Sequence, residues 1–459
     1  MNSDNISAAA GAGVDAKSIS SPGHYTLAHV ELYPHNPPSD RKFWEIKDIV
    51  SKFEIMESIN RSSIIVKMLI GDTNNLLETL RICGNEKIHI HIIQDILKPK
   101  IRKEIDIEVY ISDIMNYAKP TTGSQSFEIQ AISKEAFLSQ TKTLNGPFDD
   151  SITGLIENIC TSELVIEKKF IDNESPGGGL MKGIYPNLKP FKAIKWLIRN
   201  AYGSNHEPYF FWHSLKPYEG KNKPKFYISS YVDLINKDSV ETFNNIPFFK
   251  KEERTSENFY NNQLRKIKKI SSGLNISVFN DIAKGAYASK TCTVDLSKKT
   301  YKEKPFEYSK DSAVKINKFQ PFYKDLVDGP ALVDQNNSNK IYVSENANAF
   351  GDKKNYHAHT QENISVAQSM IVNSQHTRHT LTLAGNPDLY AGAMITLNLV
   401  KPMSFEMSED ENTKIDEYMS GKYLIETLRH NFDQKEFVTV IDIIKDSSKL
   451  DLNSAVPGK

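Results

Sequence analysis

The strongest constraint on this chain is an alternation of apolar and polar residues near its C-terminus. Thr380-Leu-Thr-Leu-Ala-Gly-Asn-Pro-Asp-Leu-Tyr-Ala-Gly runs on into Ala393-Met-Ile-Thr-Leu-Asn-Leu. A period of two sends successive side chains to opposite faces, so each run reads as a strand with one buried face. Gly385-Asn-Pro-Asp supplies a turn, because Pro387 fixes φ and Gly and Asn tolerate turn geometry. After Gly392, Ile395, Leu397 and Leu399 point one way and Met394, Thr396 and Asn398 the other. Two further strands, Tyr423 to His430 and Glu436 to Ile444, flank the short turn Asn431-Phe-Asp-Gln-Lys. Together these runs predict a small antiparallel barrel or curled sheet. Just upstream, Met370-Ile-Val-Asn-Ser-Gln-His fits the same alternation. The preferred reading there is a helix from about Ser365 to His379, giving way to a strand from Thr380.

The other end repeats the pattern. Phe53 to Ile59, Ile64 to Ile70, Lys87 to Ile93, Ile105 to Ile111 and Ser126 to Ile132 all read as strands. Asp72-Thr-Asn-Asn can cap a helical turn over Leu76, Leu77 and Leu80. About six strands between Tyr25 and Ile132 predict a first barrel. Between the ends the character changes. Helices are expected from Ser133 and from Ser151, and another begins at Pro190 with Ala193, Ile194, Leu197 and Ile198 on one face. Tyr209-Phe-Phe-Trp pairs with Lys225-Phe-Tyr-Ile-Ser-Ser across a polar hairpin. A helix over Ser256 to Lys269 and a strand-rich span to Lys304 follow. Phe306 to Tyr356, rich in Asn, Asp and Lys, reads as an extended polar arm.

The expected fold class is therefore α+β and β-rich, with two small antiparallel β-barrels flanking a mixed α/β middle. The expected boundaries are a flexible tail over 1–24, a first barrel over 25–132 and a mixed domain over 133–245. A mixed domain with the polar arm over 246–364, a second barrel over 365–447 and a tail over 448–459 complete the chain.

Basic and acidic side chains number 57 each, so net charge is zero and does not call for nucleic acid or an anionic membrane. Hydrophobic residues make up 39%, which fits much surface covered in part by other subunits. Cys83, Cys160 and Cys292 are far apart and odd in number, against a disulfide framework or a structural zinc site. Residues 1–23 lack a basic start and an apolar run, so neither signal peptide nor membrane anchor is expected.

Candidate chemistry is sparse. His89 and His91 share a strand face, as would His357 and His359, and such pairs can ligate a metal. Neither has a third ligand in view, so packed or solvated histidines are expected. Pro176-Gly-Gly-Gly-Leu-Met-Lys-Gly lacks the Gly-Lys-Ser/Thr ending of a phosphate loop and reads as a mobile loop. There is no Gly-x-Ser-x-Gly, no His-Glu-x-x-His and no Walker pattern in the sequence. Arg265-Lys-Ile-Lys-Lys reads as a solvated helix face and Ser408-Glu-Asp-Glu-Asn as a solvated loop. The expectation is no catalytic, cofactor-binding or metal-binding residue, and no enzyme.

Taken in order, several stretches carry a family resemblance. They are the strand after Gly84-Asn-Glu, Phe127-Glu-Ile-Gln-Ala-Ile-Ser-Lys-Glu-Ala-Phe running from strand to helix, and the Lys189-Pro-Phe-Lys-Ala-Ile helix. Tyr209-Phe-Phe-Trp and Leu381-Thr-Leu-Ala-Gly-Asn-Pro-Asp-Leu-Tyr-Ala-Gly-Ala-Met-Ile follow. From about Tyr25 to Ser447 the chain resembles the central hub protein of contractile-tail phage baseplates, as in T-even phages, and the N-terminal part of type VI secretion spike proteins. The resemblance implies a homotrimer whose two barrels per subunit make a pseudo-sixfold ring. It would join a sixfold tail tube to a threefold spike, with baseplate wedge or tape-measure proteins as further partners. The implied location is the virion, after assembly in the host cytoplasm. The alternatives are the hub of a phage-derived injection or type VI-like secretion apparatus and, in another class, a tail-associated cell-wall hydrolase. The polar arm and the N-terminal tail depart from the pattern, so no contact residue is carried over.

Overall fold

The computed structural model describes residues 23–95, 102–121, 123–218, 221–245, 262–274, 277–296, 298–308, 329, 339–345, 360–401, 415–434 and 436–449. Nearly all of the expected N-terminal tail, most of the polar arm, the His357 and His359 pair, the Ser408 acidic run and residues 450–459 lie outside them.

Seven strands build the N-terminal part: β1 (Thr26–Tyr33), β2 (Trp44–Glu45), β3 (Val50–Ser58), β4 (Ile65–Asp72), β5 (Lys87–Asp95), β6 (Arg102–Thr121) and β7 (Ser124–Ile132). They hydrogen-bond in the order β3-β4-β7-β6-β5-β1-β2, every pair antiparallel. Only Ile46 and a 3-10 turn, Lys47–Ile49, separate β2 from β3. The two ends of this run of strands are thus tied together, and the sheet curls around one core. That core takes alternate residues, as the period-two reading requires: Ile55, Val66, Ile90, Ile107 and Ile129 are all buried. The helical turn α1 (Leu76–Thr79) is held by Asp72, whose carboxylate accepts from the Asn74 and Leu76 N–H groups at 2.8 and 2.6 Å.

The middle segment contains α2 (Lys134–Thr141), β8 (Pro147–Ser151), α3 (Ile152–Asn158), β9 (Ile171–Asn173), β10 (Leu180–Ile184) and α4 (Pro190–Asn200). It continues through β11 (Tyr209–Ser214), β12 (Pro217–Tyr218), β13 (Lys221–Asn222) and β14 (Lys225–Ser230). Ser151 Oγ caps α3 by accepting from the Gly154 N–H at 3.2 Å. In α4, Ala193, Ile194 and Leu197 are buried against Phe211, Phe226 and Ile228, as the helical spacing predicts. The glycine loop at 177–179, expected to be mobile, is tied down. The Gly177 N–H donates to Thr153 Oγ1 at 2.8 Å, and the Gly179 carbonyl accepts from the Ile152 N–H at 2.9 Å. Gly179 has φ +90°, and an added Cβ would lie 2.3 Å from the Tyr202 ring.

The remaining elements are α5 (Tyr231–Asn236), β15 (Ser239–Asn244), β16 (Ile267–Leu274), α6 (Val278–Ala283), β17 (Ala288–Asp295), β18 (Thr300–Glu307) and β19 (Lys340–Glu345). Last come α7 (Thr360–Ser374), β20 (Thr377–Ala384), β21 (Met394–Asn398), β22 (Gly421–Asp433) and β23 (Phe437–Lys445). Of the helix expected over Ser256 to Lys269, residues 256–261 lie outside the described residues, 262–265 are helical, and the end is corrected: β16 begins at Ile267. Its ladder with β20 draws Ile267 into the core and overrides the helix preference of the lysines. Before β20 the helical reading holds as far as Ser374, so Met370 to Ser374 is helix, but the expected end at His379 is corrected: β20 already begins at Thr377, where its ladder with β23 starts. Within the stretch read as a polar arm, β19 pairs in parallel with β17.

The C-terminal strands hydrogen-bond in the order β16-β20-β23-β22. β22 is the hinge of the architecture. One of its edges runs along β23; the other is divided, with Gly421 to Leu424 pairing β21 and Thr427 to Asp433 pairing β3. β21 pairs β15, and Asn244 at the end of β15 makes an isolated bridge to Lys266 beside β16. A second curled sheet results, wrapped around Leu381, Leu397, Ile425 and Ile441. The β-rich α+β class stands. Where two separate barrels were expected, the ladders instead form two curls within one fifteen-stranded sheet.

Candidate functional site

The two curls and the middle segment meet at Glu57, the penultimate residue of β3. Its side chain is buried, at 1% exposure. Oε2 accepts from Ser214 Oγ at 2.5 Å and from the Ala391 N–H at 3.2 Å, and Oε1 accepts from the Leu215 N–H at 3.2 Å. One carboxylate therefore satisfies groups from the end of β11 and from the chain entering β21. Burial pushes its pKa up to about 7, against the opposing pull of the three hydrogen bonds.

Around Glu57 lies an apolar cluster drawn from all three parts, including Ile59, Trp212, Tyr227, Leu234, Met394, Leu424 and Ile444. Trp212 Nε1 donates to the Ala391 carbonyl at 3.0 Å. Gly392 sits against this ring with φ +87°, and a Cβ there would come within 2.8 Å of Trp212 Cζ2. Met394, which the alternation placed opposite the C-terminal core, is buried in this junction instead of facing solvent.

The turn at Gly385 to Asp388 does more than reverse the chain. The Gly385 carbonyl accepts from Gln94 Nε2 at 3.0 Å, and the Pro387 carbonyl accepts from Asn222 Nδ2 at 2.5 Å. Asp388 pairs with Lys103. Residues of β5, β6 and β13 thus grip the turn that starts the second strand run. Nearby, Phe432 stacks between Phe53 at 4.5 Å and Phe437 at 4.3 Å, with Tyr25 edge-on at 5.1 Å. The fixed spacing of the two curls follows from these contacts together with the β22–β3 ladder.

Elsewhere the site expectations fall as follows. His89 and His91 do share the outer face of β5 and engage carboxylates. His89 Nε2 lies 2.7 Å from Asp106 and Nδ1 3.3 Å from Glu31, and these partners raise its pKa against the effect of burial. His91 Nε2 lies 3.4 Å from Glu104. Arg265 and Lys268, from the basic cluster, pair with Glu241 and Glu436. His213, His379 and His430 are buried, and desolvation pushes their pKa values down to about 3, 4 and 3, so all are neutral at pH 7. A depression of about 190 Å³ is lined by Ser277, Asp281 and His376; His376 Nε2 lies 2.8 Å from Asp281 Oδ2. Ser277 Oγ there accepts from Asn280 Nδ2 at 2.7 Å. Several large apolar side chains are exposed: Tyr301 on β18, Tyr342 on β19, Leu296 just past β17, and Phe279 on α6.

No protein-family model matches the chain, and no curated protein matches it. Solved structures do. A 43 kDa tail protein of prophage MuSo2 from Shewanella oneidensis is 10% identical over 92% of this chain and 99% of its own, with a TM-score of 0.49. A tail protein from Neisseria meningitidis MC58 is 10% identical over 92% of this chain and 97% of its own, with a TM-score of 0.47. A type VI secretion system component from E. coli is 7% identical over 88% of this chain and 76% of its own, with a TM-score of 0.42.

Proposed function

We propose that this protein is a structural component of a contractile-tail baseplate, its central hub. It works as a homotrimer of pseudo-sixfold symmetry between the sixfold tail tube and the threefold spike. The observation that carries this reading is the pairing of β22 with β3, which places two curled antiparallel modules side by side in one chain. Three copies supply six such modules, a physical match to one sixfold and one threefold partner. Glu57, the Phe432 stack and the grip on Gly385 to Asp388 support it, because an adaptor must hold its two modules at a constant spacing. Its task is interface burial, with no turnover of substrate. Each interface of such an obligate assembly should bury more than about 2,000 Å², and Phe279, Leu296, Tyr301 and Tyr342 are candidate contact residues. The partners are the spike, the tube and the wedge or tape-measure proteins, within a virion assembled in the host cytoplasm.

Light scattering on the purified chain, alone and mixed with the spike protein of the same genome, tests the proposal. A particle of three 52.0 kDa chains, formed alone or on adding the spike, is the expected result. A monomer in both conditions would overturn it.

A further inference from the structure

Antiparallel pairing of β1 with β5 sets Tyr33 opposite Lys87. The chain leaving β1 and the chain entering β5 therefore emerge side by side. His35, two residues past Tyr33, meets Asn85, two residues before Lys87, and the two side chains are hydrogen-bonded. Cys83 and Glu86 lie on the same turn. Glu86 is 1% exposed, and its carboxylate is fixed: Oε1 accepts from the Cys83 N–H at 2.8 Å and Oε2 from the Gly84 N–H at 2.9 Å. Cys83 Sγ lies 3.4 Å from Glu86 Oε1. One donor atom each from His35, Cys83 and Glu86 falls within 4.8 Å of the other two.

We propose that His35, Cys83 and Glu86 form a binding site for a divalent cation of the zinc class, with a fourth position open to solvent. Imidazole, thiolate and carboxylate together suit a borderline-soft ion and disfavour magnesium or calcium. Ligand atoms around tetrahedral zinc stand about 3.3–3.6 Å apart, given its bond lengths. The Cys83–Glu86 separation is already in that range, and the exposed His35 side chain has only to swing inward. Two backbone N–H groups hold the Glu86 carboxylate as an outer hydrogen-bond partner would, orienting it before the ion arrives. The thiol now donates to Glu86, which raises its pKa. An entering cation replaces that proton, so binding releases it and weakens as pH falls. The ion would staple the loop after β1 to the turn before β5. The proposal is independent of the hub reading. It uses one cysteine only, which is why cysteine spacing gave no hint of it.

Full-length protein stripped with a chelator is titrated with Co(II) and then Zn(II). The expected result is thiolate-to-cobalt charge-transfer absorption that saturates at one equivalent and disappears when zinc is added. Cys160 and Cys292 are buried, so the signal reports Cys83. Cys83→Ser should abolish the band. His35→Ala should weaken binding by at least about tenfold, the lower end of what losing an outer partner costs. Both positions are exposed, and circular dichroism of the variants checks that the fold is kept. No band in the parent protein, the same band in Cys83→Ser, or unchanged affinity in His35→Ala would each overturn the proposed site.

Discussion

Glu57→Gln probes the junction, and its effect on stability should depend on pH. The folded protein raises the Glu57 pKa from 4.5 to about 7. The native state therefore holds the proton more tightly than the unfolded chain does. Its stabilising effect is fully present below about pH 4.5 and is lost as pH rises through 7. At roughly 1.36 kcal/mol per unit, the whole loss is about 3 kcal/mol, of which about 2.5 kcal/mol falls between pH 5 and pH 8. Glutamine carries no proton to lose. Its amide, however, must turn an N–H towards either Leu215 N–H or Ala391 N–H, leaving one backbone donor unpaired at about 1–3 kcal/mol. The variant should thus be the weaker protein at pH 5 and draw level with, or pass, the parent at pH 8. The neutral buried histidines are common to both proteins and cancel in the difference. Urea unfolding followed by tryptophan fluorescence reads the effect, since Trp212 is packed in the junction. A difference between the two proteins that is equal at pH 5 and pH 8 would refute the reasoning.

Two further substitutions test the same frame. Gly392→Ala forces a side chain into the left-handed region and against the Trp212 ring. Left-handed strain of about 1–2 kcal/mol and overpacking of about 1–3 kcal/mol predict a loss near 2–4 kcal/mol. An unchanged melting temperature would contradict that contact. Phe432→Ala empties the position between Phe53 and Phe437, both buried, and should cost about 3–5 kcal/mol. A matching loss of near-UV circular dichroism would mark the loosening of that stack, and a chain as stable as the parent would place the load elsewhere.

Local chemistry was legible in the sequence. The burial of every second residue in β7, the capping of α3 by Ser151 and the buried face of α4 each follow from backbone geometry over a few residues. β16 shows where that logic stops. Its Ile267-Lys-Lys-Ile stretch satisfies a helix and a strand alike, and only the β20 ladder chooses between them.

The sequence by itself determined that two β-rich ends enclose a mixed middle, because alternation and capping are properties of neighbouring residues. Tertiary structure alone decided how those ends are joined. Glu57 and Ala391 are 334 residues apart, and nothing near Glu57 distinguishes it from the solvent-facing glutamates of other strands. Its burial, its raised pKa and its partners are made by chains that arrive from β11 and β21. The division of one edge of β22 between β21 and β3 is decided in the same way. Pairing depends on which faces can be buried together, a quantity fixed by the whole assembly of strands and by no single run of residues.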